Sequence, residues 1–205
     1  MAADAVVHLI DDDDGVRQAV SFLLTTSGFA VRVYESALAF LDALPSVQPG
    51  CIVTDVRMPG MDGLELQRQL KARGIGLPVI VITGHGDVPL AVEAMKAGAV
   101  DFIEKPFNDE SLLSAIRVAI DRHKHDARRE GEVADIKTRL DSLSPREREV
   151  LEGLVAGLPN KAIAYDLNIS ARTVEVHRAN LMTRMGAHSV ADLVRMVFVV
   201  RSMAE

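Results

Sequence analysis

Residues 51 to 55 read Cys51-Ile52-Val53-Thr54-Asp55, a short apolar run that stops on a carboxylate. Its length and β-branched content suit a buried strand. Four similar runs flank it, at Val6 to Ile10, Ala30 to Tyr34, Val79 to Ile82 and Val100 to Ile103. Between them apolar residues return at helical spacing, as in Val16, Val20, Leu23 and Leu24, in Leu64, Leu66 and Leu70, and in Leu90, Ala94 and Ala97. Strands alternating with such helices predict an α/β domain, a five-stranded, doubly wound parallel sheet covered by helices on both faces. A fifth helix should start near Asp109, whose side chain suits an N-cap, and continue through Leu112, Leu113, Ile116 and Ile120.

The residues that end these strands carry the chemistry. In doubly wound sheets, reactive groups gather in the crevice beyond the carboxyl ends of the strands. There the sequence places Asp11-Asp12 after the first strand, Asp55 after the third, Thr83 after the fourth and Lys105-Pro106 after the fifth. Clustered carboxylates repel unless a cation neutralises them, and hard oxygen donors favour Mg²⁺. Asp12 and Asp55 are expected as direct ligands and Asp11 through water. An Asp carboxylate attacks a phosphoryl group when a metal and a lysine neutralise the transferring oxygens. Asp55 is therefore the expected nucleophile, Lys105 the charge clamp, and Thr83 a hydroxyl donor to the new phosphoryl oxygen. Asp13 and Asp14 read as caps of the first helix, and His85, between two glycines, as a loop residue. A phosphatase could use the same set, but it also needs a general acid beside the nucleophile, where this chain has Val56-Arg57-Met58.

Beyond Arg122 the apolar pattern thins into His123-Lys124-His125-Asp126-Ala127-Arg128-Arg129-Glu130. The division expected is a first domain over 1–122, a linker over 123–140 and a second domain over 141–205. The linker reads equally as a solvated helix or a flexible tether. The second domain opens on Ser144-Pro145-Arg146-Glu147, a capping box with proline at the first helical position. That helix should run to Gly157. A short helix from about Asn160 to Leu167, the turn Asn168-Ile169-Ser170, a third helix ending near Gly186 and a fourth capped by Ser189 complete an all-α, four-helix helix-turn-helix domain. On the third helix Val174, Leu181 and Met185 form a core stripe. Arg172, Val176, Ala179 and Thr183 lie opposite, flanked by Glu175 and Asn180, as a face able to meet base edges in a major groove. Asn160 and Lys161 can hold phosphates. Arg178 suits either a phosphate contact or an internal ion pair. Helical modules of this size also dock proteins, so a scaffold remains the rival.

Composition supports a DNA-binder only in one half. The net charge is -6, yet residues 1–122 hold 17 acidic and 10 basic side chains, whereas 141–205 hold eight of each. The acidity thus belongs to the first domain, and residues 158–185 carry four basic against two acidic residues. No apolar stretch approaches the roughly 20 residues that span a bilayer, and no leader pattern opens the chain, so a cytoplasmic protein is expected. The one cysteine, Cys51, lies in an apolar run and reads as a buried thiol; the six histidines show no metal spacing.

Three resemblances sharpen these expectations. Asp11-Asp12, the segment Thr54-Asp55-Val56-Arg57-Met58-Pro59-Gly60-Met61-Asp62-Gly63, Thr83-Gly84, and Asp101-Phe102-Ile103-Glu104-Lys105-Pro106 resemble the receiver domains of two-component response regulators, over about Val6 to Arg122. The resemblance implies a flavodoxin-like fold, phosphoryl transfer from a sensor histidine kinase to Asp55, and Mg²⁺ held also by the Arg57 backbone carbonyl. It further implies a cis Lys105-Pro106 bond and a switch role for Phe102, although an aromatic in a fifth strand also suits ordinary core. DNA half-sites imply paired readers, so phosphorylation should dimerise the receiver through the face of the fourth helix and fifth strand, near Val92, Lys96 and Phe102. Ser144-Pro145-Arg146-Glu147, Gly157, Asn160-Lys161-Ala162-Ile163-Ala164 and Arg172-Thr173-Val174-Glu175-Val176-His177 are similar to LuxR-type helix-turn-helix domains. This implies a transcription activator reading double-stranded DNA through Arg172, Thr173, Glu175, Val176, His177, Arg178, Ala179, Asn180 and Thr183, with RNA polymerase as a further partner and no membrane. The whole chain, particularly the stretch Ile82 to Ala99 and the tract Gly157 to Met182, is similar to rhizobial nitrogen-fixation regulators, which implies an oxygen-sensing kinase and activation of those genes under low oxygen; the alternative is the same mechanism with another regulon.

Overall fold

The computed structural model describes residues 5–84 and 88–202, and it divides the chain into two compact units, Met1–His125 and Asp126–Glu205. His85 lies outside the described residues. In the first unit the chain runs β1(Val6–Ile10), α1(Asp14–Thr26), β2(Ala30–Tyr34), α2(Ala37–Ala43), β3(Gly50–Asp55), α3(Gly63–Ala72), β4(Val79–Thr83), α4(Val88–Ala97), β5(Asp101–Glu104) and the first part of α5(Asp109–Asp141), whose remainder belongs to the second unit. The strands form one parallel sheet in the order β2-β1-β3-β4-β5. Reversal of the strand order between β1 and β3 opens a crevice at their carboxyl ends, where Asp11 and Asp55 stand.

Both sheet faces are covered, which is why β1, β3 and β4 are buried along their whole length rather than alternately. On one face Val7, Leu9, Val53, Ile80 and Ile82 pack with Val20 and Leu24 of α1 and with Leu112, Ile116 and Ala119 of α5. On the other, Ile10, Ile52 and Val81 meet Phe40 of α2, Leu66 and Leu70 of α3 and Ala94 of α4. Cys51 is fully buried, and burial pushes its thiol up to about 12, so it is inert at neutral pH. His8 is also buried. Burial holds its imidazole below the ordinary value, against the bond that its Nε2–H donates to the Gln48 carbonyl at 2.9 Å.

Two helix starts show how local chemistry decides boundaries. Asp13 is the N-cap of α1, its side chain accepting from the Val16 amide, and Asp14 sits in the first turn. At α5 the expected cap moves by one residue: Asn108 accepts from the Glu110 amide, and Asp109 is already helical. Either side chain can cap, but only the residue with a non-helical backbone has its oxygen in reach. Residues 123–140 are helical throughout, within α5.

The second unit contains α6(Pro145–Val155), α7(Asn160–Asp166), α8(Ala171–Met185) and α9(Val190–Ser202). Its separate core joins Val150, Leu151, Ile163, Val174, Leu181, Met185, Leu193 and Val197. Ser144 and Glu147 form the capping box, with the Ser144 amide and hydroxyl both donating to Glu147 at 2.8 and 2.7 Å. Between α7 and α8, Asn168 takes the left-handed conformation (φ 52), which Asn tolerates better than most residues. Gly157 (φ 76) and Gly186 (φ 66) stop α6 and α8 in the same region.

The capping box yields a pH prediction. Hydrogen bonds from the Ser144 side chain and amide, with help from the Arg184 guanidinium 3.3 Å away, hold the Glu147 carboxyl below its ordinary value. A lowered folded pKa contributes stability that is complete above the unfolded value and is lost as pH falls through the folded one. Ser144→Ala should cost the second unit about 1 kcal/mol at neutral pH. Glu147→Gln should lose stability at neutral pH and show a weaker acid dependence. Urea unfolding followed through amide signals of α6 across the acid range measures both effects.

Candidate functional site

The sheet order makes neighbours of strands far apart in sequence. Asp11 follows β1, Asp55 closes β3, and Lys105 follows β5. Across the crevice the Lys105 ammonium donates to Asp11 Oδ2 at 2.7 Å and to Asp55 Oδ1 at 2.8 Å. The Asp11 side chain is 1% exposed and that of Asp55 10%, so the two carboxylates share a poorly solvated pocket through one cation. Burial alone would lower the Lys105 pKa. The hydrogen bonds and charges of Asp11 and Asp55 outweigh it and hold the ammonium above its ordinary value.

The second oxygens are held by main chain. Asp55 Oδ2 accepts from the Arg57 amide at 2.6 Å, and Asp11 Oδ1 from the Asp13 amide at 2.9 Å. The Lys105 amide donates to the Thr83 carbonyl at 2.7 Å, which ties β5's end to β4's. Thr83 itself is buried, and its register partner is Glu104. The Lys105-Pro106 bond is cis, as the family resemblance implies. Phe102, half-buried in β5, packs with the core under α2, α3 and α4.

Asp12 differs from its neighbours. It is exposed and takes part in no hydrogen bond or ion pair among the described residues. Nor do three His, Cys, Asp or Glu side chains gather as a set there. Asp11 and Asp55 are brought together, with Lys105 supplying the counter-charge, while Asp12, next in the chain, is exposed and stays outside that set. The donor set is hard oxygen throughout and anionic beyond what one lysine neutralises, which fits a small divalent cation such as Mg²⁺.

Sequence reasoning passed over two contributors. Arg17 of α1, its side chain 14% exposed, donates from Nη1 to the Asp11 main-chain carbonyl at 2.7 Å and also pairs with Asp14. Gly63 opens α3 behind the site. A Cβ there would stand 2.3 Å from the Asp55 carbonyl oxygen and 3.3 Å from Thr54 Cγ2. An arginine six residues past an aspartate carries no sequence signal of such a contact, whereas a glycine just after the N-cap Asp62 could have been questioned.

On α8, Val174, Leu181 and Met185 are fully buried. Arg172, Glu175, Val176, Ala179, Asn180 and Thr183 are exposed, and Thr173, His177 and Arg178 half-buried. Thr173 contributes its amide, and its hydroxyl meets that of the N-cap Ser170. Arg178 forms no ion pair among the described residues; it lines, with Asn160, Lys161, Glu175 and Pro159, an open cleft of about 600 Å³ beside the start of α7. Within the second unit one face of α8 is thus exposed, with basic groups beside it.

Comparison with known proteins accounts for both units. Residues 7–117 match the response regulator receiver domain, and residues 141–197 match the bacterial regulatory proteins of the luxR family. The chain belongs to the response regulators of two-component systems. This response regulator is 59% identical to the transcriptional regulatory protein FixJ of Azorhizobium caulinodans, over 93% of its own length and 90% of that protein's. Among solved structures, full-length FixJ from B. japonicum is 52% identical, with a TM-score of 0.62 over 97% of this chain and 98% of that one. The response regulator StyR is 42% identical, with a TM-score of 0.85 over 95% and 98% of the two chains. The fold is therefore a flavodoxin-like receiver with a LuxR-type helix-turn-helix domain. A receiver implies a sensor kinase partner, and a LuxR-type domain implies DNA.

The steric limit behind Asp55 is testable. Gly63→Ala should force β3's end away from Lys105, because the atom met is main chain and cannot rotate aside. A loss of about 1 to 3 kcal/mol in the receiver's unfolding free energy is expected. Amide shifts of Asp55 and Arg57 should move with it, while those of α8 stay in place.

Proposed function

We propose that this response regulator accepts a phosphoryl group on Asp55 from a partner kinase's phosphohistidine and, in that state, acts as a DNA-binding transcription activator. The observation that carries this reading is the Asp11–Lys105–Asp55 bridge. It holds a carboxylate nucleophile at the carboxyl edge of the sheet, with an ammonium in contact with one of its oxygens. In the transfer, the phosphorus–nitrogen bond of the donor breaks as a bond forms from an Asp55 oxygen, and the donor imidazole leaves. Lys105, already touching Asp55 Oδ1, would move its ammonium to a phosphoryl oxygen, since that oxygen carries the new charge. Thr83, at β4's end, supplies the hydroxyl that orients the phosphoryl group.

A bound Mg²⁺ would neutralise the crowded oxygens of attacker and phosphoryl group. Asp12 and Asp55 would hold it directly, Asp11 through water, and the Arg57 carbonyl would complete the protein's share. The Arg57 amide also keeps Asp55 fixed during attack, so less reorganisation is needed.

The added charge of about -1.5 to -2 acts by biasing a two-state surface. Thr83 would be drawn inward and Phe102 would follow, altering the face of α4 and β5. Val92 and Met95 are exposed on α4, at 45% and 49%, and apolar exposure of this kind suits contact with a second receiver. Phosphorylated homodimers would then present paired α8 helices to DNA half-sites. Arg172, Glu175, Val176, Ala179, Asn180 and Thr183 would face base edges. Asn160, Lys161, Thr173, His177 and Arg178 would border the phosphates. The working division is a receiver over 1–122, a helical linker over 123–140 and a DNA-binding domain over 141–205. Similarity to FixJ supports a nitrogen-fixation regulon under low oxygen, RNA polymerase as the downstream partner and a cytoplasmic setting. Among the described residues no helix is long and apolar enough to cross a membrane.

Asp55→Asn is nearly isosteric but cannot form an acyl phosphate. It should abolish labelling by acetyl phosphate while unfolding at or above the wild-type urea midpoint, because one of two neighbouring carboxylates is gone. Label retained at wild-type level would refute the assignment. For DNA, affinity of the phosphorylated protein should fall steeply with salt, as counterions released by phosphate contacts require. Arg178→Ala should flatten that salt slope by about one unit.

A further inference from the structure

Four consecutive aspartates lead from β1 into α1, and the structure gives three of them partners. Asp11 takes the Lys105 ammonium and the Asp13 amide, Asp13 caps α1 through the Val16 amide, and Asp14 pairs with Arg17. Arg17 does something more with its other nitrogen. Nη1 donates to the Asp11 main-chain carbonyl at 2.7 Å, and the arginine side chain is largely buried while doing so. That carbonyl belongs to the peptide plane linking Asp11 to Asp12. The Asp11 amide is held on the other side by the Tyr34 carbonyl of β2, at 3.3 Å. A peptide is rigid, so holding its carbonyl holds the plane that carries both flanking Cα atoms and narrows the backbone rotations that swing the Asp11 and Asp12 side chains.

We infer that Arg17 is a positioning residue for the cation site: by gripping the Asp11–Asp12 peptide it aims the Asp11 and Asp12 carboxylates and so sets the affinity for a divalent cation. The inference rests on the Mg²⁺ reading above. It runs against simple electrostatics. A guanidinium close to a cation site repels the cation, so deleting it should tighten binding if charge were its only effect. Loss of a group that orients ligands instead weakens binding, typically by 10- to 100-fold. The sign of the change therefore separates the two roles.

The test is a Mg²⁺ titration of the full chain, followed through the amide signals of Asp13, Asp55 and Arg57. Arg17→Met should weaken Mg²⁺ binding by about tenfold. Arg17→Gln, which is equally neutral but keeps an N–H donor, should bind more tightly than Arg17→Met, and it carries the test if the methionine variant does not fold. Asp14→Asn frees Arg17 from its ion pair and leaves the carbonyl bond, so its affinity should stay within about twofold of wild type, as suits an exposed pair. Equal or tighter binding by Arg17→Met, or by Arg17→Gln where that variant carries the test, would overturn the inference while leaving the metal reading intact. Absence of any saturable shift in the wild-type protein would sink the metal reading and this inference with it.

Discussion

Two carboxylates cannot be buried side by side without a counter-charge, and Lys105 meets that constraint by bonding to Asp11 and Asp55 at once. The fold is arranged around the resulting bridge. Parallel strands with helices on both faces bury β1 and β3 completely, and Asp11 and Asp55 stand at their carboxyl edge. There the order β2-β1-β3-β4-β5 sets Asp11 and Asp55 next to each other, and the tie from the Lys105 amide to the Thr83 carbonyl aims the lysine back across them. The paired state costs desolvation, so it is poised rather than inert. On the proposed reading, a phosphoryl group or a divalent cation entering the crevice would take up charge that the bridge now holds.

The DNA-binding unit follows a different economy of residues. Its core is small and lies wholly on one side of α8, with Val174, Leu181 and Met185 turned inward. A 15-residue helix supported along one stripe leaves the rest of its surface open, and the residues there are short or polar enough to approach base edges. Precision comes from the ends: Ser170 caps α8, Gly186 stops it, and Asn168 turns the chain between α7 and α8. Each is a local device, independent of the receiver, consistent with the division into two compact units.

Elements whose signal is periodic or covalently local were readable in the sequence. The five strands, the capping box at Ser144 and Glu147, and the core stripe of α8 follow from side-chain period and cap chemistry. Strand ends placed Asp11, Asp55 and Lys105 at one edge because topology alone brings them there. What escaped was geometry decided by competition or by distant contact. Asn108 and Asp109 are both competent caps, and only backbone conformation selects the former. Arg178 forms no ion pair among the described residues although Glu175 lines the same cleft, and sequence spacing could not show which way its side chain would turn. Arg17 gave no sign of its hold on a main-chain carbonyl, because such a bond leaves no partner to recognise in sequence.

The central claim is that chemistry at the bridge resides on Asp55 itself. Borohydride reduction offers the most direct test, since an aspartyl acyl phosphate is reduced to a homoserine side chain whereas a free carboxylate is untouched. After exposure to acetyl phosphate and reduction, peptide sequencing by mass spectrometry should find homoserine at position 55 and aspartate at 11 and 12. Homoserine at either of those positions, or an unmodified Asp55 in protein that carries phosphate, would contradict the account.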